Sequence, residues 1–230
     1  VSSTNKTFRE HFANLANKLI NDFSLNSNSF VVDIGSNDGV FLKPLQDKGI
    51  KIIGVDPAKN LSDLANRNGL ETIPKFFNED VANDIIKNKG NADIVTAFNV
   101  FAHADNLKDI VKNVFQLLKS DGVFVIEVQY LLDTLKDTTF DNIYHEHVNY
   151  WSVTSLNNFF KLLNLQLFKV EHVDTHGGSI RAYIRNNSKS EVDISLSTFM
   201  NSEVTFGMGG FEVYKNFSQK QAEGFSIFYL

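Results

Sequence analysis

The stretch from Val31 to Pro57 constrains this chain more than any other. It reads VVDIGSNDGVFLKPLQDKGIKIIGVDP. An apolar run is followed by a glycine turn carrying acid and amide, a helical segment, and a second apolar run ending in Asp56. The same alternation continues downstream. Residues 60 to 68 suit a helix, 71 to 74 a short third strand, 79 to 88 a helix and 92 to 98 a buried strand. Residues 107 to 118 suit a helix and 122 to 128 a fifth strand. Strands alternating with helices predict a parallel sheet covered on both faces, its crossovers right-handed.

The flanks complete this plan. Residues 7 to 23 place Phe8, Phe12, Leu15, Leu19, Ile20 and Phe23 at helical spacing, which predicts a leading amphipathic helix. After a loop, 153 to 163 reads as a helix. Residues 166 to 173 and 179 to 184 then read as strands joined through Thr175-His176-Gly177-Gly178, an antiparallel hairpin at the sheet edge. That makes seven strands, mostly parallel. From residue 187 the text turns rich in Ser and Asn, so 1–186 is expected to be one domain and 187–230 a linker with the start of a further segment. A helix is expected there, interrupted at Gly207-Met208-Gly209-Gly210-Phe211-Glu212.

Composition narrows the function classes. At 230 residues, 43% hydrophobic, a sizeable core is within reach, and 21 Phe make it rich in aromatic rings. The net charge of −5 carries no basic footprint, so no nucleic-acid partner is expected. With no Cys, disulfides and thiolate metal sites are excluded within this chain. The apolar runs are too short to span a bilayer and no signal peptide is visible, so no membrane partner is expected and the location is read as cytoplasmic. A start at Val1 and an end at Phe-Tyr-Leu read as a piece of something longer.

In open parallel sheets, ligands sit at the carboxyl ends of the strands near the switch in strand order. The turn there is Asp33-Ile34-Gly35-Ser36-Asn37-Asp38-Gly39. A dinucleotide site wants G-x-G-x-x-G aimed at a pyrophosphate. This turn has Gly35 and Gly39 with three residues between, and acids beside them. Carboxylates suit a ligand carrying an ammonium and a sulfonium, which describes S-adenosylmethionine. Asp56, ending the next strand, is expected to take both ribose hydroxyls as an exposed acid, followed by Pro57. Phe76 and Phe77 are expected to flank the adenine, and Asn99 to hold the methionine part. The bland alternatives are caps for Asp33, Asp56 and Asn99 and core positions for the two Phe. The expected cofactor set is Asp33, Gly35, Ser36, Asn37, Gly39, Asp56, Pro57, Phe76, Phe77 and Asn99, with S-adenosylhomocysteine as product and no metal.

Methyl transfer needs a nucleophile, and most substrates need a base to produce it. The densest group of candidates is Phe140 to Trp151, FDNIYHEHVNYW, after the fifth strand. Glu146 with His145 and His147 offers metal-ligand types, but not at the i, i+4 helical spacing of a zinc protease. A histidine-bearing loop without chemistry is the other alternative. His103 reads as helix entry or site, His176 as turn chemistry, and His11 and His172 as ordinary core or surface residues.

Together, VVDIGSNDGVFL, GVDPAKNL, FNVFAHADNL, FDNIYHEHVNYWS and HGGSIRAYI resemble the sugar C-methyltransferase family over roughly residues 1 to 190. These enzymes methylate carbon 3 of nucleotide-activated 4-keto-deoxysugars. The first two segments are generic to class I, Rossmann-like methyltransferases; Y-x-E-H-x-x-Y and H-G-G-S-x-R are more specific. The resemblance implies that His147 is the base, that Tyr144 and Glu146 orient it or hold the sugar, and that His103 stabilises the enolate. The substrate would be a small molecule, a nucleotide sugar. Against the family pattern, this stretch is expected to be the central domain, read without the Cys-rich zinc domain and most of the C-terminal domain. An O- or N-methyltransferase, or a truncated fold that only binds cofactor, are the rival readings.

Overall fold

A computed structural model describes residues 6–139, 143–175, 177–186 and 191–227. Seven strands form one sheet in the order β3-β2-β1-β4-β5-β7-β6. Two compact units divide the chain, Val1–Val100 with Asn106–Val125, and Phe101–Asp105 with Ile126–Leu230.

The first unit holds α1 (Lys6–Asp22), β1 (Phe30–Ile34), α2 (Leu42–Gln46), β2 (Lys51–Val55), α3 (Lys59–Arg67), β3 (Thr72–Ile73), α4 (Glu79–Lys89), β4 (Ala92–Phe98), α5 (Leu107–Leu117) and the start of β5 (Leu118–Gln129). β1 pairs in parallel with both β2 and β4, and β2 with β3. All five residues of β1 are buried, and consecutive strand residues point to opposite faces, so both faces are covered. The order reverses between β1 and β4. Ile34 is level with Val55 on one side and Ala97 on the other, so Gly35, Asp56 and Phe98 follow the sheet's edge together. From α1, Phe12 packs on Phe41 and Phe98 with ring centres 6.0 and 5.4 Å away.

Local departures from the sequence reading have local causes. The helix expected directly after Gly39 starts only at Leu42, because Asn37 and Gly39 hold left-handed φ of 53° and 80°. β5 begins at Leu118, with no gap after α5.

The second unit holds the end of β5, then α6 (Leu131–Asp137), α7 (Val153–Leu162), β6 (Leu165–Val173), β7 (Ser179–Asn186), α8 (Ile194–Phe206) and α9 (Phe211–Ile227). β6 and β7 form the antiparallel hairpin, closing from Leu165↔Asn186 to Val173↔Ser179. α6 lies where the sequence reads as loop; seven residues are too few to display a helical period. In place of one interrupted helix after 187 there are two, because Gly207 at φ 87° ends α8.

Among the described residues, two buried polar clusters and one at the surface, Asp133 with His172, organise this unit. Arg181 donates to Glu127 Oε2 through Nε at 3.1 Å and Nη2 at 2.9 Å, and reaches Glu171 at 3.4 Å. Burial alone would push this guanidinium down, but Glu127 beside it holds it above its ordinary value. Asp133 Oδ2 meets His172 Nε2 at 2.7 Å and stands where a side chain on Gly178 would go, 2.3 Å from a Cβ built there. Gly178 has φ 105°, so the second glycine of H-G-G-S-x-R is required twice over.

Glu203 of α8 is 2% exposed. Its carboxylate accepts the backbone amides of Val153 and Thr154, the open first turn of α7, and the hydroxyl of Tyr130 at 3.0 Å. Burial, with Glu203 next, pushes the Tyr130 phenol up, which keeps it a donor. Glu203→Ala leaves those three donors without their acceptor. It is expected to lower the unfolding free energy by about 3 kcal/mol in urea denaturation, and a loss below about 1 kcal/mol would contradict this role.

Candidate functional site

In the first unit the turn after β1 is tied to the end of β2. Gly35 N–H donates to Val55 O at 2.8 Å, and Asn37 N–H donates to Asp56 Oδ2 at 2.8 Å. Asp56 Oδ1 accepts from Ala58 N–H at 2.8 Å. Asp56 is therefore not the exposed acid expected from sequence. It is 7% exposed and organises both turns, with a further lone pair on each oxygen for another donor. Gly35 sits at φ 72°, and a Cβ there would fall 2.7 Å from Val100 Cγ2. Ser36 Oγ is buried with no hydrogen-bond partner among the described residues. Gly39 is buried, and Pro57 exposed, beside Asp56.

Asp33 is 2% exposed and accepts Thr96 Oγ1–H at 2.6 Å. Burial raises its carboxyl to about 7, partly offset by the Thr96 bond and reinforced by Asp56. Thr96 carries no sequence signal beyond being the one hydroxyl in an apolar strand. Phe76 is 77% exposed and Phe77 half-buried, so neither is a core residue. Both lie on the segment leading from β3 to Asn78, which caps α4 by accepting Val81 N–H at 3.0 Å. Asn99 follows β4 with φ 56°; the residue at the start of α5 is Asn106. The buried Ser36 hydroxyl and the buried acids Asp33 and Asp56 at the glycine turn fit a cationic ligand with hydrogen-bonding groups.

The second unit brings His103, Tyr144 and His147 together. Tyr144 Oη lies 3.0 Å from His147 Nε2, and the His103 and His147 ring centres are 4.8 Å apart. His103 Nδ1 lies 2.9 Å from the backbone oxygen of Glu146. A carbonyl oxygen only accepts, so Nδ1 carries the proton and the neutral ring has its lone pair on Nε2. His103 can then donate toward a substrate oxygen through Nε2 only as imidazolium. Glu146 contributes to this group by its backbone; its carboxylate lies 4.0 Å from the exposed His145. Among the described residues no cluster of three or more His, Cys, Asp or Glu is placed to hold a metal. Phe140, Asp141, Asn142 and His176 lie outside the described residues.

The burial of Asp33 has a pH signature. Folding raises its carboxyl from 3.8 to about 7, so the folded state holds a proton that the unfolded chain has released. The stability this contributes at low pH is lost as pH rises across that window. Asp33→Asn removes the loss, so its stability relative to the parent should rise between those pH values by on the order of 4 kcal/mol, measured by urea unfolding along a pH series. A difference that does not change with pH would contradict the buried acid.

Residues 8–170 match a family described as methyltransferase domain. The chain is 33% identical to C-methyltransferase NovU of Streptomyces niveus over 219 residues, 95% of this chain and 52% of that protein. It thus spans about half the length of that relative. It is 24% identical to the ubiquinone biosynthesis O-methyltransferase of Pelagibacter ubique over 139 residues, 58% of this chain and 57% of that one. In fold it is similar to magnesium protoporphyrin IX methyltransferase from Synechocystis, solved with bound SAM, at TM-score 0.56 and 11% identity, covering 77% of this chain and 79% of that one. The PH0226 protein of Pyrococcus horikoshii gives TM-score 0.59 at 18% identity, covering 79% and 92%. The switch-point turn, the seven-stranded sheet and the match over most of the length lead to one assignment: the chain belongs to the methyltransferase-domain family.

Proposed function

We propose that this chain is the catalytic part of an S-adenosylmethionine-dependent methyltransferase that acts on carbon 3 of a nucleotide-linked 4-keto-deoxysugar. The single observation carrying the reading is the Tyr144–His147 pair, 3.0 Å apart, with the His103 ring against it. Similarity to a C-methyltransferase over 95% of the chain supports the choice of carbon over oxygen. A cytoplasmic setting suits a nucleotide-activated substrate. The methyltransferase domain would span 1–186, with α8 held against the start of α7 by Glu203.

Gly35, Ser36, Asn37 and Gly39 would hold the methyl donor by their turn, Asp33 and Asp56 by charge and hydrogen bonding, Pro57, Phe76 and Phe77 by contact with its ring, and Asn99 by its amide. When bound, the donor supplies an electrophilic methyl on a positive sulfur. The chain's own task is the proton. The keto group acidifies carbon 3, an imidazole nitrogen of His147 takes the proton, and the C–H pair stays on the sugar as enolate. With the Tyr144 hydroxyl accepting from Nε2–H, the neutral ring would carry its lone pair on Nδ1, the nitrogen that then acts as base. Protonated His103 would offer Nε2–H to the enolate oxygen.

Hydrogen exchange at carbon 3 separates this from O- or N-methylation, which leaves that hydrogen in place. The parent chain should exchange deuterium into carbon 3 of the keto sugar in D2O without methyl donor. His147→Ala should lose exchange and transfer by roughly a hundredfold or more while its affinity for S-adenosylmethionine stays within about twofold. Methyl transfer by the parent without exchange capacity, or unchanged turnover in His147→Ala, would overturn the reading.

A further inference from the structure

We propose that Asn149 is the positioning residue that holds His103 and His147 in register, a role that rests on the C-methylation reading for its catalytic meaning. His103 lies on the short segment Phe101–Asp105, and His147 on the loop that leads to Trp151. Both loops are irregular, and His103 is exposed, so the separation of the two rings is set by what fastens one backbone to the other.

That fastening centres on one residue. Asn149 Nδ2 donates to Ala104 O at 3.0 Å and to Phe101 O at 3.3 Å, carbonyls on either side of His103. The backbone amide of Asn149 and that of Val148 both donate to Ala102 O, at 3.2 and 2.8 Å. A primary amide has two N–H donors, and here both find a carbonyl. Phe101 anchors the segment in turn. Its ring is fully buried, 6.3 Å from the centre of Trp151 and 6.4 Å from that of Phe160.

The consequence is chemical as well as spatial. With the two backbones joined, the Glu146 carbonyl stands 2.9 Å from His103 Nδ1 and selects the tautomer with its lone pair on Nε2. The hydrogen bonds of Asn149 go to the backbone carbonyls of Phe101, Ala102 and Ala104, so it acts through the backbone of 101–104. Asp at this position has a similar shape but no donors, and would set a carboxylate against carbonyl oxygens.

The test reads the tautomer directly. Long-range proton–nitrogen NMR spectra of the imidazoles should show His103 protonated at Nδ1 in the parent chain. In Asn149→Ala and Asn149→Asp that signature should give way to an Nε2-protonated or mixed form. Methyl transfer should fall by roughly tenfold or more in kcat, with the affinity for S-adenosylmethionine within about twofold. Asn149→Asp is read if the Ala variant does not fold. An Nδ1–H signature that survives in the folded variants overturns the proposal whatever the turnover. Loss of signature together with cofactor binding also overturns it, since that is general unfolding. If the parent neither exchanges nor methylates the keto sugar, the substrate reading fails, while a signature lost only in the variants upholds the positioning role.

Discussion

Asp56 accepting the backbone amide of Asn37 is the contact on which the first unit's switch-point turn depends. A turn of seven residues after β1 has no regular hydrogen-bond ladder of its own, and Asn37 and Gly39 both take left-handed backbone. One carboxylate, buried at the end of the neighbouring strand, gives that turn a fixed acceptor and supports the start of α3 through Ala58. The parallel register then places the chain after β4 on the same edge. Asp33, one layer further in, holds a proton near neutrality because burial makes its charge expensive. A cation bound on this edge would favour the ionised form, so binding and proton release are coupled there.

The second unit solves a different problem. It carries buried charge, and each charge is met by several partners. Arg181 has Glu127 and Glu171, and Glu203 has two amides and a phenol. Such groups add little net stability against an apolar replacement, but removing one partner alone is costly. They set geometry. Glu203 pins the start of α7, the element into which the His147 loop runs, and Asp133 with Gly178 shapes the β6–β7 turn. The histidine pair itself stands near solvent and is held by carbonyls of the Phe101–Ala104 segment.

Much of this was legible in the sequence. The order of strands and helices follows from periodicity and turn residues, because burial of a parallel sheet's two faces imposes apolar runs that only local composition can supply. The edge hairpin was legible from Gly177-Gly178. The turn after β1 was legible because backbone with φ above zero favours Gly or Asn, as at Gly35, Asn37 and Gly39. What escaped was α6, too short for a period, and the attachment of α8, whose Glu203 reads as an ordinary surface acid until its three partners are seen.

The sequence by itself determined the fold class, the glycine turn at the switch in strand order and the residue types of the histidine-bearing loop, since these depend on pattern along the chain. Only the tertiary structure decided what those residues touch. It turned Asp56 from an exposed acceptor into a buried organiser, gave Glu146 a role through its carbonyl, fixed the tautomer of His103, and singled out Asn149. Each of these depends on a partner between about twenty and fifty residues away, and hydrogen-bond direction and burial exist only once the chain has brought such partners within 3 Å or so.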